Sequence, residues 1–148
     1  MNILETINQT NWCEYDTAYG SAGRTDSEYA NIPKNLQQLF SKDKEQSMLA
    51  THHLWCSLCH QHAYVSSAAL PAYEVIFYGL ETLDDKLKVE ILDIFAGFAV
   101  CTDKKSPPDS WEGQLRAKLV RDKPVFQELM SNPNESIAYF AEMICHEL

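Results

Sequence analysis

The residues of this chain best equipped for chemistry crowd into one short stretch that holds His52, Cys56, Cys59, His60 and His62. Cys56-Ser-Leu-Cys59-His60 spells the string that carries covalent haem, and thiolates with imidazoles are the preferred ligands of zinc. Haem attachment needs thiols open to the vinyl groups and an export route. The chain begins Met1-Asn-Ile-Leu-Glu5, with neither a basic leader nor a long apolar run. Zinc fits better, because His52, Cys56 and Cys59 share one helical face and His62 could swing in past its end. Yet one helix cannot surround a tetrahedral ion, and no second paired Cys or His knuckle stands elsewhere to complete the shell. The favoured reading is therefore no metal and no cofactor, with the thiols packed as small core residues beside Trp55. A zinc- or ligand-binding enzyme built on His52, Cys56, Cys59 and His62 stays open as an alternative. No Gly-x-Ser-x-Gly elbow, phosphate-cradling Gly loop or His-Glu-x-x-His helix is present, and the adjacent Cys145 and His146 diverge on a helix, so no catalytic residue is expected.

The elements that must position these side chains are helical, with no alternating strand pattern anywhere. Ile3, Leu4 and Ile7 suggest an initial helical turn, followed by an ordered loop rich in Gly, Ser, Asp, Tyr and Asn. Pro33 opens a short helix, and the Ser41-Lys-Asp43 hinge starts a longer one to about His60. Its apolar stripe reads as Leu49, His52, Trp55, Cys56 and Cys59. Ser66 and Ser67 are candidate N-caps for the next helix, and the helix from Asp85 is almost wholly apolar from Ile91 to Cys101. Ser110 caps a helix from Trp111 that Pro124 kinks or restarts, and Ile137, Phe140, Ala141 and Ile144 form the face of the last. The expectation is a single all-α domain over 1–148. Residues 1–31 form a lead-in helix and ordered loop, and three antiparallel helix pairs follow at 33–62, 67–102 and 111–147. Pairs of this size bury their faces only against neighbours, which is the logic of a solenoid.

Two residues stand apart. His60, at a helix C-terminus, is expected to clasp the Tyr19-Gly20-Ser21 segment, so His60, Trp55 and Tyr19 are read as structural. Asp93, alone in an apolar run, must reach an open face or find a hydrogen-bond partner.

The formal charge of −9 speaks against nucleic acid, whose phosphates need clustered Lys and Arg. No stretch is apolar enough for a membrane span, and five cysteines without a leader suit a reducing cytoplasm. The acid excess could keep the surface solvated or steer a basic partner.

Ala18-Tyr-Gly-Ser-Ala22, Ile32-Pro33 with Leu36 and Leu39, the Ser41-Lys-Asp43 turn, the Leu58-Cys-His-Gln61 corner, Tyr64-Val65 with Ala68-Ala-Leu-Pro71, and Glu90-Ile-Leu-Asp-Ile-Phe-Ala96 follow one another in an order that resembles bacterial HEAT-repeat domain proteins. The resemblance spans about residues 12–102. It departs after the corner, where His62-Ala63 replaces a Gly and a small polar residue. It implies a HEAT-like solenoid and a protein-binding role, since such proteins recur among immunity proteins for bacterial toxins. The expected function is thus stoichiometric neutralisation of a cognate toxin with a basic surface; the alternative is a scaffold or adaptor. The candidate partner-binding residues are Glu14, Asp16, Asp26 and Glu28 in the lead-in segment, with Asp84, Asp85 and Asp93 further on.

Overall fold

Six of the eight α-helices in the computed structural model, which describes residues 1–148, start where an Asn, Asp or Ser side chain accepts from a first-turn backbone N–H. These caps are Asn2, Asn31, Asp43, Asp84, Ser110 and Asn134, and each satisfies donors that the helix itself leaves open. The helices are α1 (Ile3–Gln9), α2 (Ile32–Leu39), α3 (Lys44–Leu58), α4 (Ala69–Thr82), α5 (Asp85–Cys101), α6 (Trp111–Arg121), α7 (Lys123–Leu129) and α8 (Glu135–Glu147). A two-residue antiparallel ladder, β1 (Asp16–Thr17) with β2 (Gly20–Ser21), is the only sheet. The fold is all-α, and no helix is long and apolar enough to cross a membrane.

Helix α5 is the centre, with Leu87, Ile91, Leu92, Ile94, Phe95, Ala96, Phe98 and Ala99 all buried. It lies against α4, its sequence neighbour, and is flanked by α3 and α8. Helix α2 packs on α3, α4 touches both α2 and α6, and α7 packs on α8. Tyr73, Phe77, Phe95, Phe98 and Phe126 form a ring cluster with centroid separations of 5.1–6.1 Å.

The third helical unit is in three pieces. The chain breaks at Asp122, and Pro124 sits in the first turn of α7, where its missing N–H costs no helix bond. Asp122 accepts from the hydroxyl of fully buried Tyr73 at 3.0 Å and pairs with Arg121 at 2.7 Å. Glu74 takes Lys118 at 2.7 Å and Arg121 at 3.0 Å, tying α4 to α6. Burial and the neighbouring Asp122 push the Tyr73 phenol well above its ordinary range, so it stays a proton donor.

Two expectations are corrected here. The buried face of α3 is not the Leu49, His52 and Trp55 stripe: Leu49 is 51% exposed, His52 is exposed and Trp55 is half-buried. The helix instead buries Ser47, Ala50, Thr51, His53, Leu54, Ser57 and Leu58, while Cys56 and Cys59 of the expected stripe are buried as expected. The hydroxyl-bearing members can go inside because each gives its hydroxyl to a carbonyl: Ser47 to Ser41 and Asp43, Thr51 to Met48, Ser57 to His53 and Tyr29. The second correction concerns the start of α4. Its cap position is Ala68, and neither Ser66 nor Ser67 caps it by side chain. The Ser67 hydroxyl accepts from the Asp16 backbone N–H at 2.8 Å, and the Ser66 N–H donates to Leu58 O.

Candidate binding surface

Because the hydroxyl-bearing side of α3 faces inward together with Leu54 and Leu58, His52 is left outside and Trp55 half-buried, with His52 beside Tyr29 of the lead-in segment. That segment is sewn onto α3 and the α3–α4 corner by main chain. Ala18 N–H donates to Ser57 O, the Ser57 hydroxyl donates to Tyr29 O, and Ala68 N–H donates to Asp16 O. The result is a continuous run of rings. Tyr64 lies 4.9 Å from His60, His60 lies 6.2 Å from Tyr19, and Tyr19 lies 4.8 Å from Tyr29. Tyr29 reaches His53 at 4.7 Å and His52 at 6.1 Å, His52 reaches Trp55 at 6.2 Å, and Trp55 reaches His62 at 6.4 Å. Tyr19 is 37% exposed and Tyr64 is 48% exposed, so the run is a surface and not a core.

The corner itself is unusual backbone. His60, Gln61 and His62 have φ of 40°, 57° and 68°, three consecutive left-handed residues without a glycine. Such residues cost of order 1 kcal/mol each and persist only when their surroundings hold them. His62 is held twice: Nε2 donates to the Asp93 main-chain oxygen at 2.8 Å and lies 2.7 Å from Oδ1, and its own carbonyl accepts from the Cys101 thiol at 3.3 Å. A glycine at this position would take the φ freely but supply no anchor. Asp93 thus finds its partner, and it does so on the rim of the ring surface.

His60 does not clasp the lead-in segment by hydrogen bonding. Its Nδ1 is buried without a partner, and its ring contributes packing between Tyr19 and Tyr64. The hydrogen-bonded clasp is Ser57, whose hydroxyl and carbonyl both engage the segment. Trp55 Nε1 is likewise buried and unpartnered, so the surface carries two open polar positions just beneath it.

The four residues of the zinc alternative are not gathered. Cys56 Sγ is 3.8 Å from His52 Nε2, but Cys59 turns its thiol to Trp55 O at 3.3 Å and packs on Gly97, and His62 is committed to Asp93. No group of three or more metal-ligating side chains forms anywhere in the structure. Burial pushes the Cys59 thiol up to about 12, so it remains protonated at neutral pH and serves neither as nucleophile nor as ready ligand. Purified protein is accordingly expected to hold far less than one equivalent of zinc, and a chelator should leave its melting temperature unchanged. Stoichiometric zinc retained through gel filtration, with unfolding on chelation, would refute this assignment.

The seven acids named from sequence divide by partner. Asp26 is paired with Arg24 at 2.6 Å, which holds its carboxyl below the usual range. Asp84 caps α5 and pairs with Lys44, and Asp93 belongs to His62. Glu14, Asp16, Glu28 and Asp85 are exposed without a cation partner. Sequence reasoning missed Glu90, one turn before Asp93 on α5. Burial, and then the charge of Asp93, raise its carboxyl above the ordinary range, against the weaker opposing effects of His52 and Lys86. The spacing of three from Asp93 was the available signal. Tyr29, His53 and Tyr64 were also missed, because they join the surface from separate elements. No family model, curated protein or solved structure matches this chain.

Proposed function

We propose that this protein acts by binding another protein through the ring surface of α3, the corner and the lead-in segment, and that the partner presents basic residues to the acids around it. The observation that carries this reading is the run of rings Tyr64, His60, Tyr19, Tyr29, His52 and Trp55, in which Tyr64, Tyr19 and His52 are exposed and the others half-buried, bordered by Glu28, Glu90 and Asp93. Tyrosine and tryptophan are the residues that dominate interface hot spots, and acids without an ion-pair partner, here Glu28 and Glu90, steer a basic surface into register. The most specific form of the reading is an immunity protein that occludes a cognate toxin stoichiometrically in the cytoplasm.

A HEAT-like solenoid is supported by the order of packing. Helices α2, α4 and α6 touch in sequence along one side and α3, α5 and α8 along the other. The adaptor reading draws on a different place, a cleft of about 610 Å³ on the last unit, where Met130 and Tyr139 are exposed. That cleft would give the protein a second attachment point.

The test is co-expression with the product of the adjacent reading frame. Rescue of the cells and copurification of a stable complex are expected. Replacing both Tyr19 and Tyr64 by Ala should then weaken capture by about 30-fold or more, the equivalent of about 2 kcal/mol. Rescue without any detectable complex would exclude occlusion.

A further inference from the structure

Beneath Tyr29, on the flank of the ring surface, a polar cleft of about 190 Å³ opens between α2 and α3. His53 lines it while being only 5% exposed. The protonation of this imidazole can be read from its neighbour. Asn35 gives both amide hydrogens to main-chain carbonyls, Glu28 O at 2.7 Å and Asn31 O at 2.9 Å. Its Oδ1, 3.0 Å from His53 Nδ1, can therefore only accept, so Nδ1 carries the proton and Nε2 carries a lone pair. Burial lowers the basicity of the ring, which keeps it neutral at physiological pH. Nε2 makes no hydrogen bond within the protein.

The cleft around that lone pair is rich in acceptors. Glu28 supplies a carboxylate without a cation partner, and Gln38 and Gln46 supply amide oxygens that can turn inward. Lys34 is the single cation on the lining, and Glu28 acts on His53 more strongly than Lys34 does. A neutral imidazole acceptor, a carboxylate and two amide oxygens match a planar group with several donors and a positive charge. We propose that this cleft is a subsite for a guanidinium, filled by an arginine side chain of the protein partner. The inference rests on the binding role argued above and names the group that the partner would insert.

The probe is ethylguanidinium, titrated into ¹⁵N-labelled protein and followed by the ring nitrogens of the histidines. The His53 Nε2 signal should move from the position of a free lone pair toward that of a hydrogen-bonded one, with Nδ1 unmoved and a Kd of about 1–10 mM. Ethylammonium should bind more weakly, and Glu28→Gln, an exposed change that leaves the fold intact, should weaken ethylguanidinium by about tenfold. A His53 Nε2 signal that ignores ethylguanidinium would overturn the proposal, as would acetate moving it equally or Glu28→Gln binding undiminished. Capture of the partner is scored separately by the Tyr19 and Tyr64 replacements, so the cleft can fail while the binding role stands, and the reverse.

Discussion

Arg116→Ala should unfold in urea at a midpoint lower by about 2 M, a loss of about 3–5 kcal/mol from a domain whose whole stability is of order 5–15 kcal/mol. Arg116 is 8% exposed and meets no carboxylate side chain. Its guanidinium instead gathers the open carbonyls at two helix ends. Nη1 donates to Thr102 O at 2.9 Å, to Thr102 Oγ1 at 3.3 Å and to Ala99 O at 3.4 Å, closing α5. Nη2 donates to Glu147 O at the end of α8. A cation there meets the negative ends of two helix dipoles, and the fork reaches both helices from α6. Removing it leaves several buried carbonyls without donors, each costing about 1–3 kcal/mol. Arg116→Lys should recover only part of the loss, because one ammonium cannot span two helix ends in fixed geometry. An unshifted midpoint for the alanine variant would show that water or a rearranged terminus replaces the guanidinium.

That residue also marks what a sequence can and cannot display. Arg116 sits on an amphipathic helix among Gln114, Lys118 and Arg121 and reads as one more solvated charge. All its partners but the Thr102 hydroxyl are main-chain oxygens, which have no residue type to betray them. Local side chains were legible in part: Ser110 caps α6, the hinge at Asp43 starts α3 and the apolar run from Ile91 marks the central helix, whereas Ser66 and Ser67 leave α4 uncapped. The face of α3 was misread because hydropathy counts Ser47, Thr51 and Ser57 as surface, although a hydroxyl that bonds a nearby carbonyl is cheap to bury. Getting that face wrong hid the ring surface, since Leu49, His52 and Trp55 were assigned to the core. His60 lies at a corner beside Tyr19 as its position implies, but the bond that fastens the corner runs through Ser57, and the His60 ring packs between Tyr19 and Tyr64.

Gly97→Ala should destabilise by about 2–3 kcal/mol, against the gain of about 1 kcal/mol that the same exchange brings in an unobstructed helix. A Cβ on Gly97 would stand 2.6 Å from Cys59 Sγ, 2.8 Å from Cys59 Cβ and 2.9 Å from His62 Cδ2. Two of those atoms lie on Cys59, at the end of α3, and the third belongs to a residue fixed to Asp93, so the added methyl must push the corner off α5. In a Cys59→Ala background the sulfur is gone but its Cβ remains, and the penalty should fall by about 1 kcal/mol without vanishing. That difference is a coupling energy between the two positions. Full additivity would mean that the corner has room to move, and a stabilised Gly97→Ala would mean that α5 does not set its position. If the coupling is found, the distance from α5 to the α3 corner is set by one missing side chain. The same contact then fixes where His62 meets Asp93, and with it the rim of the ring surface on which partner binding is proposed to depend.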